Sequence, residues 1–557
     1  MADKGKVLVV GLDGATFDLV RPWAEQGELP TFARLLRDGF SHDLTVELPP
    51  ITVPNWPTFA TGKNPGKHGL LHFMRREAGS TRLSIVSSGD LRGQTIWDIL
   101  SERGRRSIVI NAPVTFPPSE INGLLITGLL TPRSAQEYTY PAELKAEIQE
   151  LGYMLTEDVA CVKGNEKKYL EALFRVADAR LRTALVLMQE HAWDFFFIVF
   201  DCTDHAGHYF WKFIDPHHPE HAPDAPAELK TAILRIYRRM DEALASFLSA
   251  IDEDTTLVVM SDHGMGPLHQ RSNINNWLLD AGFLAIQETP RARFKHWLFR
   301  HGFTPQAVHK ATPQIGLAQI RKRVDPRQQG SKALYRRLFL SFDDIDWART
   351  RAYALGGMGQ IYINLKGREP MGIVEPGQEY QALREELAEG LYRIVNPLSG
   401  QRYIEKVYWK EELYSGERLD WLPDIIFEPG DLSCSDAGVF EFFSNQLFHP
   451  ARAISGDHRK NGLFMMWGPH VVGNAGLPSG VVKMVDLAPT ILHLLGEPIP
   501  EDMDGRVVAE ALQRDYLQAR PPQRCSAAGV QDSRSAGLTA QEEQEVVERL
   551  QDLGYLS

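Results

Sequence analysis

Residues 194–208 read DFFFIVFDCTDHAGH. Six consecutive apolar residues, all aromatic or β-branched and with no polar alternation, have the pattern of a strand covered on both faces. The run stops at Asp201 and passes into a cluster of Asp and His. The same grammar occurs twice more. Residues 6–11, KVLVVG, lead to Asp13, and residues 255–260, TTLVVM, lead to Ser261, Asp262 and His263. Between these runs lie stretches of helical periodicity, 166–190 and 227–251. Strands alternating with helices predict a three-layer α/β sandwich around a mostly parallel sheet. Ligands in such sheets sit outside the carboxyl ends of the strands. The polar clusters fall at those ends.

Working outward, the 557-residue chain divides by composition. Residues 1–286 carry the first part of the α/β core, and 346–515 carry the second, with strand-like runs at 360–364 and 463–467. Residues 287–345 break the pattern as a basic insertion, expected to be helical and to act as a cap segment. From 291 to 337 its only acidic residue is Asp325. Residues 516–538, rich in Pro, Gln, Ser and Arg, read as a linker. Residues 539–557 read as an amphipathic C-terminal helix packing back on the core. Met465, Met466 and Trp467 are expected in the core.

Hydrophobic residues make up 43% and charged residues 24%, ordinary for a soluble globular protein. The 60 Lys and Arg face 72 Asp and Glu, a net charge of −12, which argues against specific nucleic-acid binding. Cys161, Cys202, Cys434 and Cys525 share no CxxC spacing, so neither a disulfide framework nor a zinc knuckle is expected. No run approaches the ~18 apolar residues of a membrane span, and the polar residues 1–6 do not resemble a signal peptide. The expectation is a cytoplasmic protein. Oligomeric state is not legible.

The chemistry-bearing residues converge. Asp13, Asp204, His208, Asp262 and His263 follow strands, and His458 lies just before the run at 463–467. A single Asp after a strand is ordinarily a helix cap. Three carboxylates and three imidazoles at one sheet edge instead suit two divalent ions. Zinc accepts both donor types at about 2.0–2.2 Å. A second feature is residues 48–62, LPPITVPNWPTFATG, where prolines hold the chain extended up to Thr52 and a helix opens beyond it. A hydroxyl there lies at the positive end of a helix dipole, so Thr52 is either a helix cap or an activated nucleophile.

The ordered series GLDG (11–14), TVPNW (52–56), TGKNPGKHG (61–69), TDHAGH (203–208), SDHGM (261–265), GDHRKNGLFMMWGP (456–469) and VDLAPTILHLLGEPIPEDMDGR (485–506) resembles the alkaline phosphatase superfamily. The branch is the type I phosphodiesterase/nucleotide pyrophosphatase one. The resemblance implies an alkaline-phosphatase-like sandwich and two divalent metal ions, zinc first, with manganese or magnesium as alternatives. It assigns one ion to Asp204, His208 and His458, and the other to Asp13, Thr52, Asp262 and His263. Thr52 is implied as the nucleophile forming a phospho-threonine intermediate. The Asp-x-x-x-His pattern occurs twice, as Asp201/His205 and Asp204/His208. Gly207 before His208, and the aromatic residues after it, select the second pair. His205 is then expected to line the site or to sit in a solvated loop.

Pyrophosphatase-type members carry an Asn shortly after the segment matching His68–Gly69; here residues 70–74 are LLHFM. His72 or Arg75 stands in its place as a substrate contact. Asn55 is read as either a substrate contact or a turn residue. The substrate is expected to be a small anionic phosphate ester, with a diester as the lead and a monoesterase or phosphomutase reaction as the alternative. A sulfatase lacks support because TVPNW offers no C/S-x-P-x-R motif. A non-catalytic protein on this scaffold would have lost a ligand, and none is missing. The basic insertion reads as a solvated face, a lid presenting Arg321, Lys322 and Arg323, or a peripheral membrane contact through Phe294, Trp297, Leu298 and Phe299.

Overall fold

The computed structural model describes residues 5–76, 83–311, 336–355, 357–436, 442–452, 454–473, 480–527, 537–553 and 555. The main sheet has nine strands: β1 (Lys6–Leu12), β2 (Phe40–Thr45), β3 (Ser107–Ala112), β4 (Gly123–Thr127), β5 (Thr139–Tyr140), β6 (Phe195–Phe200), β7 (Thr255–Met260), β8 (Asn461–Trp467) and β9 (Val482–Lys483). Their order is β9-β2-β8-β7-β1-β6-β3-β4-β5. The central five, β7-β1-β6-β3-β4, run parallel. β8 is antiparallel to both its neighbours, and β5 is antiparallel to β4. The three apolar runs of the sequence lie side by side, with Leu8 opposite both Phe196 and Leu257.

Continuous apolar runs arise here because successive side chains enter different cores. Leu8 and Val10, Phe196 and Ile198, and Leu257 and Val259 pack on one face of the sheet. Val7 and Val9, Phe195 and Phe197, and Val258 and Met260 pack on the other. Helices Glu166–Glu190 and Ala232–Ala250 cover the first face, while Thr52–Thr61 and Leu487–Leu494 cover the second. At ~1.5–3 kcal/mol for each fully buried large apolar side chain, the two layers pin the strand ends rigidly. Met465 and Met466 are buried, one on each face.

Residues 352–429 depart from the expectation that the core grammar resumes at 346. Strands Ala352–Ala354, Gln360–Ile363, Ile404–Trp409 and Ile425–Pro429 form a separate antiparallel sheet with a hydrophobic cluster of its own. A β-branched run specifies an extended backbone but not which sheet it joins, because the partner is set by long-range packing. In the basic insertion, Pro290–Arg300 and Pro305–Ala311 are helices. Phe294 and Trp297 are exposed and stacked at 6.1 Å, whereas Phe299 is buried. Lys295 is not solvated either: it is buried and donates to Asp344 Oδ2 at 2.7 Å. Arg321, Lys322 and Arg323 lie outside the described residues. The segment 516–538 is not all linker: the helix Arg514–Ala519 runs into its start, and Arg524–Cys525 pairs with Ile499–Pro500.

The C-terminal helix Ala540–Asp552 buries Val546 and Leu550 against Val53, Leu70 and Phe73. Among the described residues, no helix is long and apolar enough to cross a membrane.

Candidate metal centre

β1, β6 and β7 end level with one another, so the residues that follow them share one edge. Asp13 comes directly after β1. Asp204 and His208 lie one turn apart on the helix Cys202–Phe210, which opens just beyond β6. Asp262 and His263 follow β7. His458 arrives from the distant strand Gly456–Arg459, which pairs antiparallel with Gly264–Pro267 and sets His458 opposite Met265. Thr52 is the first residue of the helix Thr52–Thr61 and is fully buried.

Close approach explains two of the glycines. Gly14 has φ +66°, and a Cβ there would come within 3.0 Å of Asp204 Oδ1. A Cβ on Gly207 would meet Met265 Cγ at 2.6 Å.

The nitrogen and oxygen atoms converge tightly. Asp204 Oδ1 lies 3.3 Å from both His208 Nε2 and His458 Nε2, which are 3.0 Å apart. His263 Nε2 lies 3.3 Å from Asp262 Oδ2 and 3.5 Å from Asp13 Oδ1. The rings of His263 and His458 stack at 3.8 Å, joining the two groups. Backbone carbonyls orient two of the imidazoles: His208 Nδ1 donates to Gly456 O at 2.8 Å, and His263 Nδ1 to Gly264 O at 3.1 Å. That leaves each Nε2 as the inward-facing ligand atom.

Each carboxylate keeps one oxygen braced and one bare. Trp56 Nε1 donates to Asp13 Oδ2 at 3.1 Å, Gly14 N to Asp262 Oδ1 at 3.2 Å, and Tyr555 Oη to Asp204 Oδ2 at 2.5 Å. Asp13 Oδ1, Asp204 Oδ1, Asp262 Oδ2, His263 Nε2 and Thr52 Oγ1 are buried without a hydrogen-bond partner. Four such atoms clustered on Asp13, Asp204, Asp262 and His263, with Thr52 Oγ1 as a fifth in the same state, contradict the usual saturation of buried polar groups. Divalent cations would satisfy such acceptors, and the residue groups Asp204/His208/His458 and Asp13/Asp204/His263 are each compact enough to hold one.

The electrostatics agree. Burial, then repulsion from Asp262 and Asp204, holds the Asp13 carboxyl well above its ordinary value. Burial and Asp204 do the same to Asp262. Burial also pushes Asp204 upward, but His208 and His458 outweigh it and hold that carboxyl well below the usual range. Three carboxylates share one buried site, and side chains supply positive charge to only one of them.

The competing pair is used elsewhere. Asp201 Oδ1 accepts from Arg180 Nη1 at 2.5 Å, and His205 Nδ1 lies 3.1 Å from Glu157 Oε1, all of it buried. Burial lowers the His205 pKa, but Glu157 outweighs it and brings it to about 9. His205 is therefore a buried ion-pair partner rather than a solvated loop histidine. For Asn55 the geometry matches the turn reading and not the substrate contact. Its Oδ1 accepts from Glu47 N at 2.7 Å and its Nδ2 donates to Ile51 O at 2.9 Å, so its amide braces the loop before Thr52 rather than facing a substrate. His72 packs on Phe73, whose ring lies 5.0 Å from Tyr555. Arg75 pairs with Asp90 at 2.7 Å. The donors Trp56 and Tyr555 were missed: the first sits inside TVPNW, but nothing in the local sequence marks the second.

Residues 7–431 match the family model for type I phosphodiesterase/nucleotide pyrophosphatase. The chain belongs to that family, within the alkaline phosphatase superfamily, and is a metal-dependent phosphoric ester hydrolase. Phosphonoacetate hydrolase from Sinorhizobium meliloti 1021, solved in complex with phosphonoacetate, has a TM-score of 0.50 at 15% identity. That match covers 88% of this chain and 95% of the hydrolase, and the likeness concerns the fold. Murine ectonucleotide pyrophosphatase/phosphodiesterase 5 gives a TM-score of 0.49 at 15% identity, covering 91% and 100% of the two chains. No curated protein matches.

Proposed function

We propose that this protein hydrolyses small phosphodiesters, with Thr52 as nucleophile and two divalent ions, zinc first, held by Asp204, His208 and His458 and by Asp13, Asp262, His263 and Thr52. The observation that carries the reading is the set of bare buried polar atoms on Asp13, Asp204, Asp262 and His263, together with the equally bare and buried hydroxyl of Thr52. Bound there, the cations lower the hydroxyl pKa and offset charge on the attacking and leaving oxygens. Thr52 Oγ1 attacks phosphorus in line, its bond to phosphorus forms as the ester P–O bond breaks, and the leaving alcohol departs opposite. The phospho-threonine is then hydrolysed by water, which restores the hydroxyl. The free N–H groups at the start of the helix Thr52–Thr61 face the phosphoryl oxygens and carry the positive end of the helix dipole. The mixture of carboxylate and imidazole donors favours zinc over magnesium.

The test compares bis(p-nitrophenyl) phosphate with p-nitrophenyl phosphate, using metal-depleted protein reconstituted with zinc or manganese. Diester turnover that requires metal and disappears in Thr52→Ala is the expected result. A monoester preference with the same dependences would replace the diester reading with the phosphomonoesterase one. Metal-bound protein inactive on both esters would overturn the hydrolytic substrate assignment.

A further inference from the structure

The three pocket carboxylates share a plan: a donor fixes one oxygen and the other oxygen is left bare toward the centre. For Asp13 and Asp262 the donors, Trp56 and Gly14, come from the motifs that surround the site. For Asp204 the donor is Tyr555, 351 residues away, three positions beyond the end of the C-terminal helix. We infer that Tyr555 is a positioning residue of the metal site, whose hydroxyl holds Asp204 as a ligand through one oxygen only. The inference rests on the two-metal reading above.

The placement of Tyr555 is built, not incidental. Its backbone N–H closes a turn onto Leu550 O at 2.9 Å, and Leu550 is fully buried. Glu543 and Glu545 fasten the same helix by accepting from Ile85 N at 2.9 Å and Ser134 N at 3.0 Å. The ring of Tyr555 then meets three others, with centroids 5.0 Å from Phe73, 5.5 Å from His208 and 6.0 Å from His458. Phe73 and Val53 share the cluster that receives the helix, so the segment holding Tyr555 also packs on the residue next to Thr52.

The chemical consequence follows from the geometry at Asp204. Oδ1 is equidistant, at 3.3 Å, from the inward nitrogens of His208 and His458, whereas Oδ2 accepts from the phenol. A carboxylate with both oxygens free can swing or chelate through both. One whose second oxygen is held by a donor presents a single, aimed ligand atom, and removing such an outer donor typically weakens metal binding by about 10- to 100-fold. The C-terminal segment is thereby a wall of the active site rather than an appendage to the fold.

The experiment titrates metal-depleted full-length protein with Co2+, following the visible bands and competing with a chromophoric chelator. Wild type, Tyr555→Phe and Tyr555→Leu are compared. Tyr555→Phe keeps the ring and removes only the hydroxyl, and an unchanged melting temperature of the metal-free protein serves as the folding control. The expected result is two binding steps in wild type. In Tyr555→Phe one step is weakened by about 10- to 100-fold, with lower band intensity as Asp204 becomes a two-oxygen ligand, and the other step stays within about twofold. Two unchanged steps in Tyr555→Phe would overturn the inference and leave the metal reading standing. The same conclusion would follow if only Tyr555→Leu weakened binding, since the ring and not the hydroxyl would then be responsible. Wild type that fails to take up two ions would overturn both.

Discussion

Two regions of this molecule use the same residue types to opposite ends. In the pocket, Asp13, Asp204 and Asp262 each leave an oxygen without a donor. In the clasp between 61–69 and 500–506, Asp504 is saturated. Its Oδ2 accepts from Asn64 N and Asn64 Nδ2, both at 2.8 Å, and its Oδ1 accepts from Lys67 Nζ at 2.5 Å. Lys63 pairs with the neighbouring Asp502. Both regions looked equally motif-like in sequence, and both contain Lys, Asp, Asn or His at fixed spacing. What separates them is the state of the acceptors. A carboxylate whose oxygens are taken up by donors is a fastener, and a buried one with a lone pair held bare is a candidate ligand.

The strongest way to break that contrast is Thr52→Ala. A nucleophile is worth at least ~10³-fold in kcat/KM, whereas an ordinary helix cap costs ~1 kcal/mol of stability and little activity. Activity should vanish while the melting temperature holds; a loss of melting temperature with retained turnover would put Thr52 among the fasteners.

Asp424 is the saturated extreme, accepting from Arg368 Nη1 and Nη2 at 2.7 Å each, Tyr380 Oη at 2.8 Å and Ile363 N at 2.7 Å. Asp424→Asn should cost about 3 kcal/mol by removing the carboxylate charge between Arg368 and Lys410, with Glu369 left as the acidic partner of Arg368 and metal stoichiometry unchanged. Denaturant unfolding monitors the first and chelator competition the second. Burial raises the Asp424 pKa, but Arg368 and Lys410 outweigh it and hold it at about 2. Its contribution is therefore full above about pH 4 and lost as pH falls toward 2, worth about 2 kcal/mol.

Asp504→Ala makes a smaller version of the same test. Removing the acceptor of three hydrogen bonds should cost about 1–2 kcal/mol, because Lys67 keeps Asp502 O and the Asn64 amide keeps Ser415 Oγ, with kcat/KM within about threefold of wild type. A collapse of activity at constant stability would mean that the clasp contacts substrate. The smallest effect is expected at His68, whose pKa is held down to about 3 by burial and then Lys63, with its Nε2 3.0 Å from Thr58 Oγ1. Because the folded pKa is lowered, the unfolded chain takes up a proton first, and stability falls as pH drops below about 6.5. Between pH 7.5 and 5.5 wild type should lose about 1 kcal/mol more than His68→Gln, read from urea midpoints.

Much of this was legible beforehand. The strands at 6–12, 195–200 and 255–260 appeared as apolar runs because both faces of the sheet are covered, and the helix Glu166–Glu190 appeared in its periodicity. The placement of Asp13, Asp262 and His263 at one edge was legible because a residue beside a strand end travels with the strand. The strand Gln360–Ile363 was read correctly as a strand but assigned to the wrong sheet, since pairing depends on partners up to 66 residues away, at Ile425 and Ile426. The two readings of Asn55 could not be separated in the sequence because its hydrogen-bond partners are backbone groups, which any sequence supplies.

The sequence by itself determined the order of strands and helices, the family and the residue types offered at the sheet edge, since these depend on local pattern and spacing. Only the tertiary structure decided which offers are taken up. It turned Asp204 and His208 toward His458 while burying Asp201 against Arg180 and His205 against Glu157, although both pairs share one helical turn of spacing. It also brought Tyr555 to Asp204 across the length of the chain. The physical reason is direction: spacing sets which side chains lie on a common helix face, but the packing of that helix against the rest of the fold sets what the face meets.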